Sequence, residues 1–236
     1  MEKYYNIAGL NVAMDSYGRT DSRAEAYRIP TPDHVDIQVV SRWPELRDEH
    51  PDYSDDLGEH TATDCSFYRQ LLDFDGFRFH SSAVVVDGRA YLFSADSGTG
   101  KSTHTRLWLS LFGSRAYILN DDKPAVRWID GTWYACGTPW SGKDDISVNR
   151  VVPIAGIAML ERSEHNSIEP YSDGQVVVDM MKQCNRPREM KTRMKQLTLL
   201  DKLIREVPVW KLRCNMEPEA AIVSYEAMSG ETFKEM

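Results

Sequence analysis

The apolar positions of the chain follow two periods, and the shorter period predicts strands along much of its length. Val35, Ile37 and Val39 alternate with polar residues, as in a strand with one buried face. Residues 151–160 are almost entirely apolar, which is typical of a central strand buried on both faces. The strands predicted in this way cover residues 4–14 (one or two short strands around Gly9), 34–40, 83–86, 90–93, 116–119, 124–128, 133–136, 151–160 and 208–212.

Two Asp-Gly dipeptides mark the turns of predicted hairpins. Asp87-Gly88 separates residues 83–86 from 90–93, and Asp130-Gly131 separates two other β-prone runs. Asp and Gly both tolerate the positive φ angles that a two-residue hairpin turn requires. The first hairpin leads directly into a stretch of small residues.

A period near 3.6 residues predicts helices, most of them in the last third of the chain. Leu197, Leu200, Leu203 and Ile204 share one helical face, for example. The predicted helices cover residues 103–111, 172–184, 188–206 and 217–227. Residues 48–59 are acidic and rich in turn formers, which predicts a long surface loop, and residues 67–72 are apolar without a clear period.

The order of these elements predicts a mixed α/β fold without regular βαβ alternation. We expect a β-rich N-terminal segment at residues 1–78, either a substrate-recognition module or added sheet, and a second domain at residues 79–236. Strands and one helix form the first part of that domain, and helices dominate its end.

Composition excludes several classes of function. The chain has 236 residues and a net charge of −8, which argues against a general nucleic-acid or anionic-membrane surface. The N-terminal residues show no signal peptide, and no apolar stretch is long enough to cross a bilayer. The four cysteines are far apart and lack metal-ligand spacing, which indicates reduced thiols. We therefore expect a cytoplasmic protein that binds neither nucleic acid nor membrane.

Residues 95–103 have the composition of a phosphate-binding loop between a strand and a helix. Small residues let several backbone N–H groups converge, and the following helix adds its N-terminal partial charge. In such a loop Lys101 would reach the outer phosphates and the Ser102 hydroxyl would bind Mg²⁺. The candidate phosphate-binding residues are Asp96, Ser97, Gly98, Thr99, Gly100, Lys101, Ser102 and Thr103.

Two adjacent carboxylates follow the next predicted strand. Asp121 lies 20 positions after Lys101 and is followed by Asp122. Ligands of open α/β sheets bind at the carboxyl ends of strands, so a strand beside that of the loop would bring both carboxylates to the phosphates. One of the two could hold Mg²⁺ and the other could accept the proton of an attacking hydroxyl. The alternative is a turn or capping role for Asn-Asp-Asp.

Other residues have both a functional and a structural interpretation. His80 is either a structural histidine or a group that the hairpin folds back beside the loop. Lys143 and Arg150 are candidate cations for a transferring phosphoryl group, although a surface position is the simpler account of Arg150. Trp140 is expected to be exposed or to face a ligand. A group of basic residues is either a solvated helix face or a docking surface for an acidic peptide: Lys182, Arg186, Arg188, Lys191, Arg193 and Lys195.

At these residues the sequence resembles the kinase domain of HPr kinase/phosphorylase, whose fold is related to that of ATP-dependent phosphoenolpyruvate carboxykinase. The resemblance rests on His80, on residues 96–102, and on Asp121 and Asp122, which occur in the same order at similar spacing. It covers residues 79–126 well and the rest weakly. Residues 137–143 are similar to a loop in a bacterial branch of small kinase-like proteins, some of which phosphorylate serine in peptides.

The resemblance implies a P-loop kinase that uses ATP and Mg²⁺. It implies Lys101 on the phosphates, Ser102 on Mg²⁺, Asp121 as general base, Asp122 as a metal ligand or second carboxylate, and His80 near the phosphates. Two departures matter, because Ala95 replaces the first loop glycine and the family's Arg-Gly segment after the acidic pair is missing. Kinase activity is therefore better supported than the reverse phosphorylase reaction, which the sequence leaves open.

The sequence thus predicts transfer of the γ-phosphoryl group of ATP to a hydroxyl, with a serine of a peptide or protein as the expected acceptor. Lys143 would help Lys101 to stabilise the charge on the transferred group. Two alternatives stay open: a kinase that acts on a small metabolite, and a nucleotide-binding regulatory protein without transfer activity. Relatives of this fold often assemble, so a homo-oligomer is a further expectation.

Overall fold

The computed structural model describes residues 3–234, which form a mixed α/β fold as the sequence predicts. Two sheets are present among these residues, and helices cover both faces of the larger one. The strands are β1 (Lys3–Ile7), β2 (Leu10–Met14), β3 (Arg28–Ile29), β4 (Ile37–Val39), β5 (Gly76–Arg78), β6 (Ser81–Val86), β7 (Arg89–Ser94), β8 (Ala116–Asn120), β9 (Ala125–Ile129), β10 (Thr132–Cys136), β11 (Val151–Arg162), β12 (Ser167–Pro170) and β13 (Val209–Cys214).

The helices alternate irregularly with these strands. Their bounds are α1 (Gly18–Ala24), α2 (Trp43–Leu46), α3 (Asp55–Leu71), α4 (Lys101–Phe112), α5 (Gln175–Lys182), α6 (Met190–Glu206) and α7 (Glu219–Ser229). Both predicted hairpins are confirmed, with Asp87 and Asp130 at positive φ in their turns. The four predicted helices correspond to α4, α5, α6 and α7, each shifted by a few residues.

The larger sheet is built around β11. Residues 154–159 pair with β7 along one side of β11. Along its other side, residues 151–153 pair with β10 and residues 157–162 pair with β13. The strand order runs β5-β9-β10-β11-β7-β6-β8, and β13 carries β12. Residues 151–160 are therefore central, as predicted, although the strand is exposed where it begins.

One edge of this sheet collects the residues that carry chemistry. β7 and β11 are parallel, and β6 is antiparallel to both β7 and β8, so β7, β8 and β11 end at the same edge. The sequence predicted that the strand before Asp121 lies beside the strand of the loop. That prediction is wrong, because β6 pairs with both and separates them. The start of β6 brings His80 to this edge as well.

Helices shield both faces of the sheet. Trp108 and Phe112 of α4 pack with Tyr225 and Met228 of α7 on one face. Met180 of α5 and three leucines of α6 pack on the other face. This double burial explains why every residue of β6 is buried and why its residues 83–86 form a continuous apolar run rather than an alternating one.

The N-terminal residues form a second, smaller sheet in the order β3-β1-β2-β4. This sheet packs with α3 in a hydrophobic cluster that also contains Ala125, Cys136 and Trp140 from later in the chain. Within the predicted strand at residues 34–40, only Ile37–Val39 pairs, and Val35 is exposed. The division into residues 1–78 and 79–236 stays a prediction.

The acidic segment at residues 48–59 is not one long loop. α3 begins at Asp55, and Ser54 caps it by accepting a hydrogen bond from the backbone N–H of Leu57 at 3.2 Å. The helix also contains most of residues 67–72. The apolar pattern missed this helix because several of its buried positions are polar, among them Glu59, His60 and Asp64.

Trp140 is buried rather than exposed, which corrects the expectation from its glycine-rich surroundings. Its side chain is 0% exposed and stacks on Phe67 of α3 with ring centroids 4.8 Å apart. Its indole N–H donates to the hydroxyl of Thr63 at 3.2 Å. The tryptophan therefore fastens the loop at residues 137–150 to the N-terminal half of the protein.

Replacing Trp140 should destabilise the protein strongly. We expect Trp140→Ala to lower the free energy of unfolding by about 3–5 kcal/mol, because it leaves a large cavity and removes the hydrogen bond from the indole to Thr63. Urea unfolding followed by circular dichroism measures this change. Trp128→Ala is the control, since Trp128 is only partly buried and should cost less. Equal costs for the two variants would contradict the anchoring role.

Candidate active site

The loop after β7 has the backbone conformation of an open cradle. Gly98 and Gly100 have φ angles of +79° and +125°, which side chains rarely adopt. A Cβ placed on either glycine would meet no atom within 4 Å, so the space above the loop is free. Asp96, Ser97 and Gly98 are exposed. The loop therefore presents its backbone to solvent at the carboxyl end of β7.

Lys101 lies beneath this cradle and is held by the loop itself. Its ammonium donates to the carbonyl oxygens of Ala95 at 2.9 Å and Asp96 at 3.4 Å. The side chain is buried, and burial lowers its pKa although the carboxylates of Asp122 and Asp96 partly offset this effect. A bound anion would compensate the desolvated charge.

The helix α4 begins at Lys101, directly below the cradle. The first N–H groups of a helix have no partner within it, and together with the helix dipole they attract anions. Ser102 is half-buried and Thr103 is exposed on the first turn. Ala95 is buried in the apolar cluster under α4.

Asp121 is buried where β8 ends. Its Oδ1 accepts a hydrogen bond from the backbone N–H of Gly142 at 2.6 Å. Burial, reinforced by the neighbouring charge of Asp122, raises the pKa of Asp121, and the hydrogen bond from Gly142 opposes only part of this effect. A carboxylate with a raised pKa accepts a proton more readily near neutral pH, which suits a general base.

Asp122 lies in the opposite electrostatic environment. Burial alone would raise its pKa, but the hydrogen bond with His80 and the positive charges of Lys123 and Lys101 outweigh burial and lower it. His80 Nε2 lies 3.2 Å from Asp122 Oδ1, and Lys123 Nζ lies 3.9 Å from Oδ2. The pKa values of the two adjacent aspartates therefore shift in opposite directions. The raised pKa suits Asp121 to accept a proton, and the lowered pKa keeps Asp122 a carboxylate.

Gln183 joins the loop to this carboxylate, and no motif in the sequence predicts its role. Its side-chain N–H donates to Asp96 Oδ1 at 3.0 Å, and its Oε1 lies 2.9 Å from His80 Nδ1. The resulting chain of contacts runs from Asp96 through Gln183 and His80 to Asp122. Gln183 follows α5, more than 80 residues after the loop, so only the tertiary fold brings it here.

Arg162 is a second residue that sequence reasoning missed. It ends β11, and its guanidinium donates to the carbonyl oxygens of Thr99 at 3.0 Å and of Gly98. These hydrogen bonds fix the outer turn of the cradle from the side opposite His80. No local motif marks Arg162, because its position depends on the parallel pairing of β11 with β7.

The loop at residues 137–150 covers Asp121. Arg23 of α1 donates to the carbonyl oxygens of Ser141 and Gly142, each at 3.1 Å, and pairs with Asp145 at 2.7 Å. Arg106 of α4 pairs with Asp144. The N-terminal segment thus helps to position the backbone that touches Asp121.

Lys143 is on this loop but forms no contact with the carboxylate of Asp121 or Asp122. Its side chain is exposed, and none of the described residues 3–234 forms an ion pair or hydrogen bond with its ammonium. Arg150 is exposed and lies over the ring of Tyr117, with 5.2 Å between the guanidinium carbon and the ring centroid. The contacts therefore join Lys101 and His80 to Asp122, while Asp121 lies next to Asp122 with its carboxylate on Gly142. Lys143 takes part in none of these contacts.

Substitution of Gly142 tests the position of Asp121. A Cβ at Gly142 would lie 2.9 Å from Asp121 Oδ2, so the carboxylate must move away. We expect Gly142→Ala to lower turnover of nucleotide at least tenfold while nucleotide affinity and thermal stability stay near wild type, since only a side-chain end is displaced. Steady-state hydrolysis and equilibrium binding measure the two effects separately.

Gly174→Ala is the matched control for that experiment. Gly174 has an ordinary φ of −63°, and a Cβ there would meet no atom within 4 Å. Its turnover should equal that of the wild type. Full activity of Gly142→Ala would show that the position of Asp121 does not matter for the reaction.

Neither a preformed metal cluster nor a membrane span occurs within the part of the chain that the structure describes. Across residues 3–234, no three His, Cys, Asp or Glu side chains are grouped so that they could hold a metal ion. In the same range no helix is long and apolar enough to cross a membrane. The oxygens of Ser102 and Asp122 remain candidate ligands for a hard cation shared with a phosphate.

Comparisons with known proteins find distant structural likenesses but no match in sequence. No protein-family model matches the chain, and no curated protein matches its sequence. Among solved structures, the Hpr(Ser) kinase/phosphatase from Coxiella burnetii is similar at 14% identity with a TM-score of 0.34, over 65% of this chain and 93% of that one. A likeness of this size does not by itself assign a family or an activity.

Proposed function

We propose that the protein is an ATP-dependent kinase that transfers the γ-phosphoryl group to a hydroxyl, in the manner of HPr kinase-like enzymes. The observation that carries this proposal is the meeting of three features at one sheet edge. They are the open cradle below which Lys101 lies, the buried Asp121, and the ionised Asp122 linked through His80 and Gln183 back to the loop.

The residues of the site fit a nucleoside triphosphate and Mg²⁺. The free space above Gly98 and Gly100 admits a phosphate close to the backbone, and the start of α4 adds unpaired N–H groups. Lys101 would exchange its loop carbonyls for phosphate oxygens. Ser102 and Asp122 would hold Mg²⁺, which, when bound, neutralises charge on the phosphates.

The role of Asp121 follows from its burial and raised pKa. It would accept the proton of the acceptor hydroxyl as that oxygen bonds to the γ-phosphorus. The bond from this phosphorus to the bridging oxygen breaks, and the nucleoside diphosphate leaves. Lys101 would stabilise the negative charge on the transferred group, and Gly142 holds Asp121 in place.

Labelled nucleotide tests this function directly. We expect the wild type to bind ATP with Mg²⁺, to hydrolyse it slowly with water as acceptor, and to transfer label from the γ-position to a hydroxyl acceptor. Binding without any turnover, and without transfer to peptide or metabolite mixtures, would instead support a non-catalytic regulatory protein. Transfer to metabolites alone would support a small-molecule kinase.

A further inference from the structure

A groove of about 730 Å³ lies beside the site, between the α2–α3 region and residues 185–192. We call it the α3 groove. Trp43, Tyr53 and His50 stack in series along one wall, and Gly58 lets Trp43 lie against α3, because a Cβ there would come within 2.1 Å of the indole. The groove is therefore a built concavity, large enough for several side chains of a partner.

The charges of the α3 groove contrast with those of the whole protein. Five arginines and three acidic residues line it, in a chain with a net charge of −8. Arg69, Arg186 and Arg188 are exposed, and no ion pair engages them within residues 3–234. The remaining two, Arg42 and Arg78, pair with Glu45 and Asp64. The unpaired guanidinium groups favour an anionic occupant.

Buried polar atoms in the groove lack partners. Asp64 is 1% exposed, and its Oδ1 accepts no hydrogen bond. Arg78 Nε and Asn185 Oδ1 are likewise buried without a partner among the described residues. Unsatisfied groups of this kind are costly, and a ligand that supplies both donors and acceptors removes the cost. A peptide backbone offers both in alternation.

Contacts lead from the groove to the candidate active site. Asp64 Oδ2 lies 3.9 Å from Lys123 Nζ, which lies 3.9 Å from Asp122 Oδ2. On the other wall, Asn185 follows two residues after Gln183, which contacts both His80 and Asp96. A chain seated in the groove would therefore extend towards the two carboxylates.

We propose that the α3 groove binds an acidic segment of a peptide substrate and presents the neighbouring hydroxyl to Asp121. This inference rests on the proposed phosphoryl transfer, whose acceptor it specifies. Arg69, Arg186 and Arg188 pair with acidic side chains, while Asp64, Arg78 and Asn185 bind the peptide backbone. Of the basic residues that the sequence grouped together, Arg186 and Arg188 line this groove.

Cys65 provides a measurement of occupancy that does not depend on catalysis. It lines the groove and is exposed, whereas the other three cysteines are buried. The probes are two degenerate peptide mixtures with a fixed central serine, one with Asp and Glu at the flanking positions and one with Lys and Arg. The rate of Cys65 alkylation by a maleimide is followed by mass spectrometry with each mixture.

We expect the acidic mixture to slow alkylation of Cys65 and the basic mixture to leave it unchanged. Arg186→Glu and Arg188→Glu should each weaken this protection about two- to fivefold, the size of one exposed ion pair. Arg69→Glu should weaken the protection to a similar extent. For this variant too, the alkylation rate with peptide is compared with the rate of the same variant without peptide. Arg89→Glu is the control, because Arg89 is exposed where β7 begins, away from the groove.

The outcomes separate this inference from the proposed function. Nucleotide binding and turnover are measured on the same samples. Normal turnover without protection by the acidic mixture would overturn the groove assignment alone. Equal protection by both mixtures would show that charge is not recognised, and alkylation that slows with protein concentration would mean that a second copy covers the groove. Either result overturns the inference.

Discussion

Asp121→Asn should abolish turnover while sparing nucleotide binding. An amide cannot take up the proton of the attacking hydroxyl, and loss of a general base typically costs about 10²–10⁴-fold in rate. The asparagine has the same shape and can still accept the hydrogen bond from Gly142, so the cradle keeps its form. Hydrolysis of labelled ATP, with equilibrium binding on the same preparation, measures both effects.

The same substitution should stabilise the protein at neutral pH. The pKa of Asp121 is raised in the folded state, so the fold disfavours its charged form. The contribution of Asp121 to the free energy of unfolding therefore becomes less favourable as pH rises from the ordinary pKa of an aspartate through the raised pKa of the folded state. We expect Asp121→Asn to raise the melting temperature at pH 7, and the gain to vanish in acid, where the wild-type carboxyl is protonated in both states.

The pH dependence of the wild type offers a further check on this residue. Turnover should fall as pH drops through the raised pKa of Asp121, at a higher pH than an exposed aspartate would give. Asp130→Asn, in the exposed turn between β9 and β10, is the control and should change neither rate nor profile. Wild-type turnover in Asp121→Asn would exclude Asp121 as the base.

Lys101→Ala should weaken nucleotide binding about tenfold to a hundredfold. Its ammonium would form charge-assisted hydrogen bonds to phosphate, each worth about 1.5–3 kcal/mol. The fold should survive the change, because burial already disfavours the lysine charge in the free protein. Titration calorimetry measures the affinity, and thermal melting confirms that the variant is folded.

Lys191→Ala is the control for this substitution, since Lys191 is exposed on α6 outside the cradle. Its affinity should match that of the wild type. Adenosine should also bind both proteins equally weakly, because it lacks the phosphates that Lys101 contacts. Unchanged ATP affinity in Lys101→Ala would mean that the loop after β7 does not bind phosphate.

Local signals in the sequence were sufficient to predict the strands and the helix that surround the loop at residues 95–103. Asp-Gly turns and the apolar pattern predicted β6, β7, α4, β8 and the second hairpin within a few residues. These elements are stabilised by local turn chemistry and by burial of continuous apolar strands. The ends of β7 and β8 do lie at one edge of the sheet, but β6 lies between these two strands, which the sequence did not predict.

The parts that the sequence did not predict depend on polar groups paired through the tertiary fold. The buried face of α3 includes His60, which contacts Thr20, and Asp64, which pairs with Arg78. Because these buried residues are polar, the apolar pattern does not predict the helix. Trp140 was expected near solvent because its neighbours are turn residues, yet it is packed on α3. Gln183 and Arg162 reach the site from distant elements for which no spacing rule exists.

Equilibrium binding of ATP to the wild-type protein, with and without Mg²⁺, tests the central claim most directly. The account predicts saturable binding of one nucleotide per chain below about 1 mM, the upper end of usual substrate affinities, and tighter binding with Mg²⁺. It also predicts that adenosine does not compete at the same concentration. Absence of nucleotide binding would contradict the phosphate-loop assignment, and the roles proposed for Lys101, Asp121 and Asp122 would fall with it.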